Sequence, residues 1–279
     1  MASFGVRSRG EPVLPHPKAT PSWRPSSFDQ RQLAHPSGVD KNALLGIARD
    51  RLELQVYYRH RTAMTVQTPI PDFAAARLAM IDSQLRPQGV TDPSVLGAMA
   101  AIPRERFLPD HTRPLAYVDR SVAIGDGRFL AAPAVLGQLL NEMMPEAGQR
   151  ALVIGAGTGY SVAVLAAMGL DVAAIESSPD LAAKARENGI AVVEGALDKG
   201  LPKQAPYDQI LIDGAVEHVP ETIVGQLAEG GRLGAALVDR GISRLIVGRK
   251  SGGGFGYLSL GDAGAPVLPG FTKPAAFTF

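Results

Sequence analysis

Three glycines within five residues form the feature of this chain with the clearest chemical meaning. An apolar run at 151–154 ends at Gly155, and Gly157 and Gly159 follow at every second position. A helical pattern comes next, so the stretch predicts a strand, a tight turn and a helix. A turn without side chains lets a ligand approach the backbone closely.

A carboxylate is predicted to lie beside this turn. Residues 172–175 indicate a second strand, which ends in Glu176, 21 residues after Gly155. In βαβ nucleotide sites, an acidic residue about 20 positions after the glycines accepts hydrogen bonds from ribose hydroxyls. The pair therefore indicates a cofactor that carries adenosine. For the turn taken alone, the alternative to a ligand site is that the glycines end the strand for purely structural reasons.

The glycine spacing differs from those of the two commonest phosphate-binding turns. The dinucleotide fingerprint has a third glycine at its sixth position, where this chain has Tyr160. No Gly-Lys-Ser/Thr follows, which disfavours a P-loop for nucleotide phosphates. A G-x-G-x-G turn followed by an acidic strand end resembles the S-adenosylmethionine site of the Rossmann-like methyltransferases.

The surrounding pattern predicts an α/β fold with a mostly parallel central sheet and helices on both faces. Ligands of such sheets bind at the carboxyl ends of the strands, where Glu194, Gly195 and Asp213 fall beside the glycine turn. A turn is predicted at Gly230-Gly231. Further strands are predicted at 122–125, 191–194, 207–214, 232–238 and 243–249, and helices at 73–85, 93–99, 133–144, 161–168, 179–188 and 221–227.

Composition and charge limit the class of protein. The chain has 279 residues, of which 46% are hydrophobic and 20% charged, as is typical of globular proteins. Residues 1–63 carry ten Lys/Arg against five Asp/Glu, whereas residues 64–279 carry 18 against 22, which disfavours nucleic acid as a partner. The absence of cysteine excludes disulfides and thiolate metal sites, and no metal is predicted.

The N-terminal part differs in composition from the rest. Residues 1–63 are predicted to be a disordered basic extension, with Met64 as the hypothetical native start. Residues 64–279 are predicted to form one methyltransferase domain, with a helical substrate-side part at 73–145, a cofactor-binding core at 146–250 and a tail at 251–279. No secretory signal or membrane-spanning stretch is recognisable, so a cytoplasmic protein without membrane contact is predicted. The protein is also predicted to be a monomer.

Five segments carry a family resemblance. The segments are MIDSQLRPQGVTDPSVL (80–96), IPRERFLP (102–109), AYVD (116–119), APYDQI (205–210) and QLAEGGRL (226–233). In this order they resemble the protein-L-isoaspartate O-methyltransferases over about residues 73–250. That family uses S-adenosylmethionine to methylate the isoaspartyl carboxylate of damaged proteins or peptides, which begins their repair.

The resemblance implies which residues hold the cofactor. Gly155, Ala156, Gly157 and Thr158 would pack against its methionine part, and Glu176 would bind the ribose hydroxyls. The adenine would be flanked by Glu194 and Gly195. The predicted cofactor-binding set is completed by their neighbours Gly159, Tyr160, Ser177 and Ala196, and by Asp213.

Most departures from the family pattern fall on the acceptor side, although Val153 also replaces an acidic residue usual in the first strand. The family's segment, typically Thr-Ile-Ser-x-Pro, reads Phe-Leu-Ala-Ala-Pro here, so Ala131 stands at the position of the active-site serine. Alanine cannot form the hydrogen bonds of that hydroxyl. Leu130, Ala131, Ala132 and Pro133 are the predicted substrate-binding residues. No catalytic residue is assigned, and Asp213 is the candidate.

Three functions remain open from the sequence. They are carboxyl methylation of isoaspartyl residues, methyl transfer to another acceptor, and cofactor binding without catalysis. An ionised carboxylate needs alignment and exclusion of water rather than a strong base, so loss of the serine does not exclude the first. An ionised Asp213 would repel that acceptor and would suit an amine or hydroxyl, unless it only caps the following turn.

Overall fold

The structure is a computed structural model that describes residues 72–273. The predicted extension at 1–63 and the hypothetical start at Met64 lie outside the described residues. The strands are β1 (Val122–Gly125), β2 (Arg128–Leu130), β3 (Arg150–Ile154), β4 (Asp171–Glu176), β5 (Val193–Glu194), β6 (Tyr207–Val216), β7 (Leu227–Asp239), β8 (Ile242–Ser251) and β9 (Gly254–Asp262). The α-helices are α1 (Phe73–Met80), α2 (Pro93–Ala101), α3 (Pro133–Met143), α4 (Tyr160–Ala167), α5 (Pro179–Glu187) and α6 (Glu221–Val224).

One sheet positions the predicted site. Its order is β5-β4-β3-β6-β7-β8-β9, and β1 pairs with β2 in a separate hairpin. The strands from β5 to β7 are parallel, whereas β8 and β9 add antiparallel at one edge. Because β4 and β6 lie on opposite sides of β3, the strand order reverses at β3. Open α/β sheets bind ligands at the carboxyl ends of the strands that meet at such a switch point.

The central strands are buried on both faces. Alternate residues point to opposite sides, so Val153 joins one apolar cluster while Leu152 and Ile154 join another. In β6, Leu211 joins the first cluster and Ile212 the second. Each such side chain contributes about 1.5–3 kcal/mol through burial. This two-sided core holds the strand ends rigidly for a site.

The first helix changes its winding near its end. The sequence predicts one α-helix at 73–85, but α1 ends at Met80 and a π-helical turn follows at Ile81–Leu85. In this turn the N–H of Arg86 donates to the carbonyl oxygen of Ile81. Pro87 accounts for the change, because its ring would clash with the carbonyl four residues earlier in an α-helix.

The predicted turn at Gly230-Gly231 is wrong, because both glycines lie inside β7. A β-carbon at Gly231 would lie 3.0 Å from the carbonyl oxygen of Tyr207 on the neighbouring strand. The pairing register shifts beside this contact, between Tyr207 and Gln209. The glycines therefore serve a strand irregularity with a close backbone approach rather than a reversal of the chain.

Two predicted elements are shorter than expected. The helix at 221–227 is the single turn α6, because Leu227 already pairs with Tyr207 at the start of β7. The strand at 191–194 keeps only its last two residues as β5. This strand forms one edge of the sheet and pairs with β4 alone, so few backbone hydrogen bonds hold it.

The region predicted as a tail from residue 251 continues the sheet and then returns to the strand ends. After β9, Val267 forms a parallel bridge with Ala215 of β6. The N–H of Leu268 donates to the carbonyl oxygen of Ala215 at 2.8 Å, and the N–H of Glu217 donates to that of Phe271 at 3.0 Å. Residues 265–271, here called the C-terminal segment, are thereby fixed beside the end of β6.

Candidate functional site

The turn after β3 is held in a conformation that suits glycine. The N–H of Gly155 donates to the carbonyl oxygen of Ile175 in β4 at 2.9 Å. Gly155, Gly157 and Gly159 have φ angles of +78°, +56° and +99°, which side chains rarely adopt. The turn is therefore tied to β4 and leads directly into α4.

Glu176, the last residue of β4, is the fully buried carboxylate of the site. Its Oε2 accepts the N–H of Gly157 at 2.7 Å. Its Oε1 accepts the N–H groups of Ser177 at 2.8 Å and Ser178 at 3.1 Å, and Nη1 of Arg128 at 2.8 Å. The Ser177 hydroxyl also donates to Oε1 at 3.4 Å, so five donors surround this carboxylate.

Arg128 of β2 enters the same site, and the sequence analysis missed it. Its Nη2 donates to the carbonyl oxygen of Gly155 at 2.8 Å, and the side chain is only 7% exposed. A β-carbon at Gly155 would lie 2.8 Å from this Nη2 atom. The available signal was a cation directly before the predicted substrate segment, but its direction depends on the β1–β2 hairpin.

Leu268 covers the site from the C-terminal segment. A β-carbon at Gly214 would lie 2.5 Å from its Cδ2 atom, and one at Gly155 would lie 3.0 Å from its Cδ1 atom. The absence of a side chain at both positions permits this approach. A cavity of about 20 Å³ remains, enough for about one water molecule, and it is lined partly by Arg128, Ala131, Asp213 and Leu268.

Asp213 and Ala131 meet at that cavity. Burial raises the pKa of the Asp213 carboxyl, while the guanidinium groups of Arg128 and Arg104 oppose this shift. A neutral carboxyl donates a hydrogen bond, whereas an ionised one only accepts. The raised pKa therefore reduces the repulsion that Asp213 would exert on a carboxylate ligand.

Arg104 anchors the backbone of the predicted substrate segment. Its Nη2 donates to the carbonyl oxygen of Ala131 at 2.5 Å, and its Nε donates to that of Ala116 at 2.7 Å. The guanidinium also lies 5.0 Å from the ring centroid of Tyr160, a cation–π distance. Ala131 is thus held in place through its backbone, although its side chain offers no hydrogen bond.

Some predicted cofactor residues direct their side chains elsewhere. Thr158 donates its hydroxyl to the carbonyl oxygen of Phe107 at 2.6 Å, and the Tyr160 ring packs against the Phe107 ring at 5.5 Å. Glu194 is exposed and accepts a hydrogen bond from Arg186 at 2.6 Å. The side chains of Thr158 and Tyr160 are therefore engaged within the protein, and that of Glu194 is engaged at the surface.

The remaining predicted residues lie around the same strand ends. The N–H of Gly195 donates to the backbone carbonyl oxygen of Glu176 at 3.0 Å, which places the end of β5 beside the end of β4. The others lie on the turn, directly after β4 and β5, or along the predicted substrate segment: Ala156, Ser177, Ala196, Leu130, Ala132 and Pro133.

The acceptors of the site suit a ligand with ammonium and hydroxyl groups. The carbonyl oxygen of Gly155 and the carboxylate of Glu176 are both bonded to Arg128. The predicted cofactor carries an ammonium group and a ribose diol, which are donors of the same kind. The donor pattern therefore fits this cofactor, but Arg128 and Leu268 must move to make room for it.

Residues 72–273 contain neither a metal-binding cluster nor a membrane-spanning helix. Within residues 72–273, no group of three or more His, Asp or Glu side chains is arranged to hold a metal ion. In the same part of the chain, every helix is too short or too polar to cross a bilayer.

Known proteins match this chain over the region that contains the turn and the sheet. Residues 76–254 match the family model described as "Protein-L-isoaspartate(D-aspartate) O-methyltransferase (PCMT)". The protein-L-isoaspartate O-methyltransferase of Koribacter versatilis is 36% identical over 206 residues, which cover 71% of this chain and 93% of that protein. The protein of the same name from Methylorubrum extorquens is 40% identical over 179 residues, which cover 62% and 78%.

A solved structure gives the same result for the fold. A protein-L-isoaspartate O-methyltransferase superposes with a TM-score of 0.63 at 26% identity, covering 70% of this chain and 66% of that chain. The predicted Rossmann-like methyltransferase fold is confirmed by this likeness. The C-terminal segment lies beyond the residues that the family model matches.

Proposed function

The chain belongs to the protein-L-isoaspartate O-methyltransferase family, and we propose that it methylates the isoaspartyl carboxylate of damaged proteins or peptides. The predicted family, enzyme class and cofactor, S-adenosylmethionine, are confirmed by the family match. The observation that carries the proposed reaction is the glycine turn with Glu176 at the switch point, which Arg128 links to the cavity that Ala131 and Asp213 line.

The proposed cofactor contacts follow from the acceptors at the strand ends. The turn at 155–159 binds the methionine part, with the carbonyl oxygen of Gly155 accepting from the ammonium group. Glu176 accepts from the ribose hydroxyls, and the backbone near Gly195 flanks the adenine. The bound cofactor supplies a methyl group on a sulfonium, which is the electrophile of the reaction.

The chain's own residues align the acceptor and exclude water. A carboxylate acceptor is already ionised near pH 7, so no proton has to be removed before in-line attack on the methyl carbon. The C-terminal segment covers the strand ends, which limits solvent around the reacting atoms. Asp213, kept toward its neutral form by burial, donates a hydrogen bond toward the acceptor.

A second acceptor class, an amine or a hydroxyl, is favoured by one observation. Asp213 lies at the same cavity as Ala131, so a carboxyl group is present where the family's serine hydroxyl is missing. In its ionised form, Asp213 would accept a hydrogen bond from such an acceptor and take its proton. This alternative concerns the acceptor alone and leaves the proposed cofactor contacts unchanged.

The test is methyl transfer from radiolabelled S-adenosylmethionine to an isoaspartyl peptide, with the aspartyl peptide of the same sequence as the control. We expect label on the isoaspartyl peptide alone. Calorimetric binding of S-adenosylhomocysteine in the same sample reports whether the cofactor site is intact. Binding without label on either peptide would exclude the proposed acceptor and direct the assay to amines and hydroxyls.

The cellular location, the oligomeric state and the domain limits belong to the same proposal. We propose that the protein is a cytoplasmic monomer that acts on damaged proteins. We also propose that it has no nucleic-acid partner, which the formal net charge of +1 supports. The domain limits also stay predictions, with residues 64–279 as the methyltransferase domain and 1–63 as a basic extension. Size-exclusion chromatography with light scattering tests the monomeric state.

A further inference from the structure

Arg128 is bonded to the acceptor groups that the proposed cofactor needs. Three of the five donors to Glu176 are backbone N–H groups, which belong to Gly157, Ser177 and Ser178. The other two are the Ser177 hydroxyl and the Arg128 guanidinium, and the guanidinium also bonds to the carbonyl oxygen of Gly155. Among these donors, Arg128 is the side chain that bonds to both acceptors, so its guanidinium occupies the position that the ammonium and ribose groups of the cofactor would take.

A displaced guanidinium needs a new partner. A buried charge without a counter-charge or hydrogen bonds is strongly destabilising. The cavity beside Arg128 is also lined by Ala131 and Asp213, and Arg128 supplies the positive charge among its lining residues. A cation that turns from Glu176 toward this cavity therefore faces the place where the acceptor must bind.

The guanidinium also supplies what Ala131 lacks. Ala131 has no hydroxyl to donate to an acceptor, whereas arginine presents several N–H donors in a planar fork that matches a carboxylate. Arg128 lies three residues before Ala131, and the Arg104 bond to the carbonyl oxygen of Ala131 fixes that part of the chain. The two residues thus approach one cavity from the same short segment.

We propose that Arg128 binds the acceptor carboxylate. Until the cofactor enters, Glu176 binds the Arg128 guanidinium and keeps it from the acceptor. This inference rests on the proposed function. The cofactor takes over Glu176 and the Gly155 carbonyl, Arg128 turns into the cavity, and the acceptor then pairs with it. Binding is therefore ordered, with the cofactor before the acceptor.

The test compares two substitutions of the same type. R128Q removes the charge at the site, while R120Q makes the same change at an exposed arginine of the same region. We expect R128Q to bind S-adenosylhomocysteine about tenfold more tightly than wild type, because more of the protein is in the binding-competent state. R120Q should bind as wild type does, and calorimetry measures both.

Kinetics supply the second measurement. At saturating S-adenosylmethionine, we expect R128Q to raise the KM for an isoaspartyl peptide about 10- to 100-fold, because a charge-assisted pair is lost. Opposite shifts in the two affinities are the signature of the proposal, since a merely structural role would weaken both. Where R128Q unfolds at the assay temperature, R128K replaces it, with shifts in the same directions and a smaller rise in KM.

The outcomes separate this inference from the proposed function. Weaker or unchanged S-adenosylhomocysteine binding by R128Q would overturn the proposal that Arg128 competes with the cofactor for Glu176. An unchanged KM for the isoaspartyl peptide would overturn the proposal that Arg128 binds the acceptor, here called the acceptor role. If wild type binds S-adenosylhomocysteine but labels no isoaspartyl peptide, the proposed function and the acceptor role both fail. The calorimetric comparison still decides in that case whether Arg128 competes with the cofactor.

Discussion

The cofactor side and the acceptor side of the site are built in different ways. On the cofactor side, the turn after β3 and Glu176 at the end of β4 belong to one βαβ unit. N–H groups of the turn donate to the carbonyl oxygen of Ile175 and to the Glu176 carboxylate. On the acceptor side, the β1–β2 region meets the C-terminal segment across a large sequence separation. Ser121, directly before β1, donates to the carbonyl oxygen of Gly264, which lies 143 positions later and directly before the C-terminal segment.

The two sides also differ in how far they keep the residues of the family pattern. The local unit keeps the glycine turn and the acidic strand end, whereas the long-range side has Ala131 at the serine position and Arg128 inside the site. A cofactor shared by a family can be bound by one continuous unit. An acceptor site assembled from distant segments can change without altering that unit.

The largest expected effect comes from filling the turn. Gly155→Val places a side chain against Arg128 and Leu268, so we expect kcat/KM to fall by about 100-fold or more through loss of the reacting geometry. Gly148→Val is the matched control, because Gly148 has a similar φ of +85° but no atom within 4 Å of a built β-carbon. Equal losses in the two variants would mean that backbone strain alone is responsible.

Removing the cover should separate stability from cofactor affinity. Leu268→Ala should lower the free energy of unfolding by about 2–4 kcal/mol, because a buried leucine is truncated. It should also tighten S-adenosylhomocysteine binding, because one of the two side chains that fill the site is shortened. Leu227→Ala, at a leucine that is likewise 2% exposed and in the same apolar cluster, should lose stability without this gain.

Restoring the family hydroxyl should affect the acceptor side alone. Ala131→Ser should raise kcat/KM for an isoaspartyl peptide about tenfold, the effect of one hydrogen bond of about 1.5 kcal/mol to a charged group. Ala123→Ser, at an exposed alanine of β1, is the control, and S-adenosylhomocysteine binding should stay unchanged in both. A matching gain in the control would show that the position of the hydroxyl does not matter.

The smallest effect concerns Asp213 and pH. Because burial raises its pKa above the unfolded value of about 3.9, wild type loses stability as pH rises through the folded-state pKa. Asp213→Asn cannot ionise, so its Tm advantage over wild type should grow from pH 4 to pH 7, by about 2–4 °C for each 1 kcal/mol. The exposed Asp119→Asn is the control, and a pH-independent difference at Asp213 would contradict the prediction.

Local patterns were sufficient to predict the cofactor side. The glycine turn and Glu176 follow from an apolar run, a spacing and a strand end, all of which can be counted along the chain. Their geometry depends on backbone hydrogen bonds between adjacent strands. Such bonds are set by the strands themselves and vary little with the rest of the fold.

The acceptor side could not be predicted in this way. Arg128 follows a hairpin turn, and nothing in its immediate sequence shows that its side chain points toward Glu176. Leu268 packs closely against Gly155 and Gly214 only because the C-terminal segment returns to β6. The glycines at 230–231 show the converse, since a local turn signal is overridden by the pairing of β7 with β6.

The position of Leu268 near the end of the fold also has a consequence for synthesis. A chain leaves the ribosome from its N-terminus, so β3, β4 and β6 emerge before the residues that cover them. Until Leu268 has emerged, Gly155 and Gly214 remain without their lid. The strand ends are therefore made before their cover, and the site is closed over only when the C-terminal segment has emerged and paired with β6.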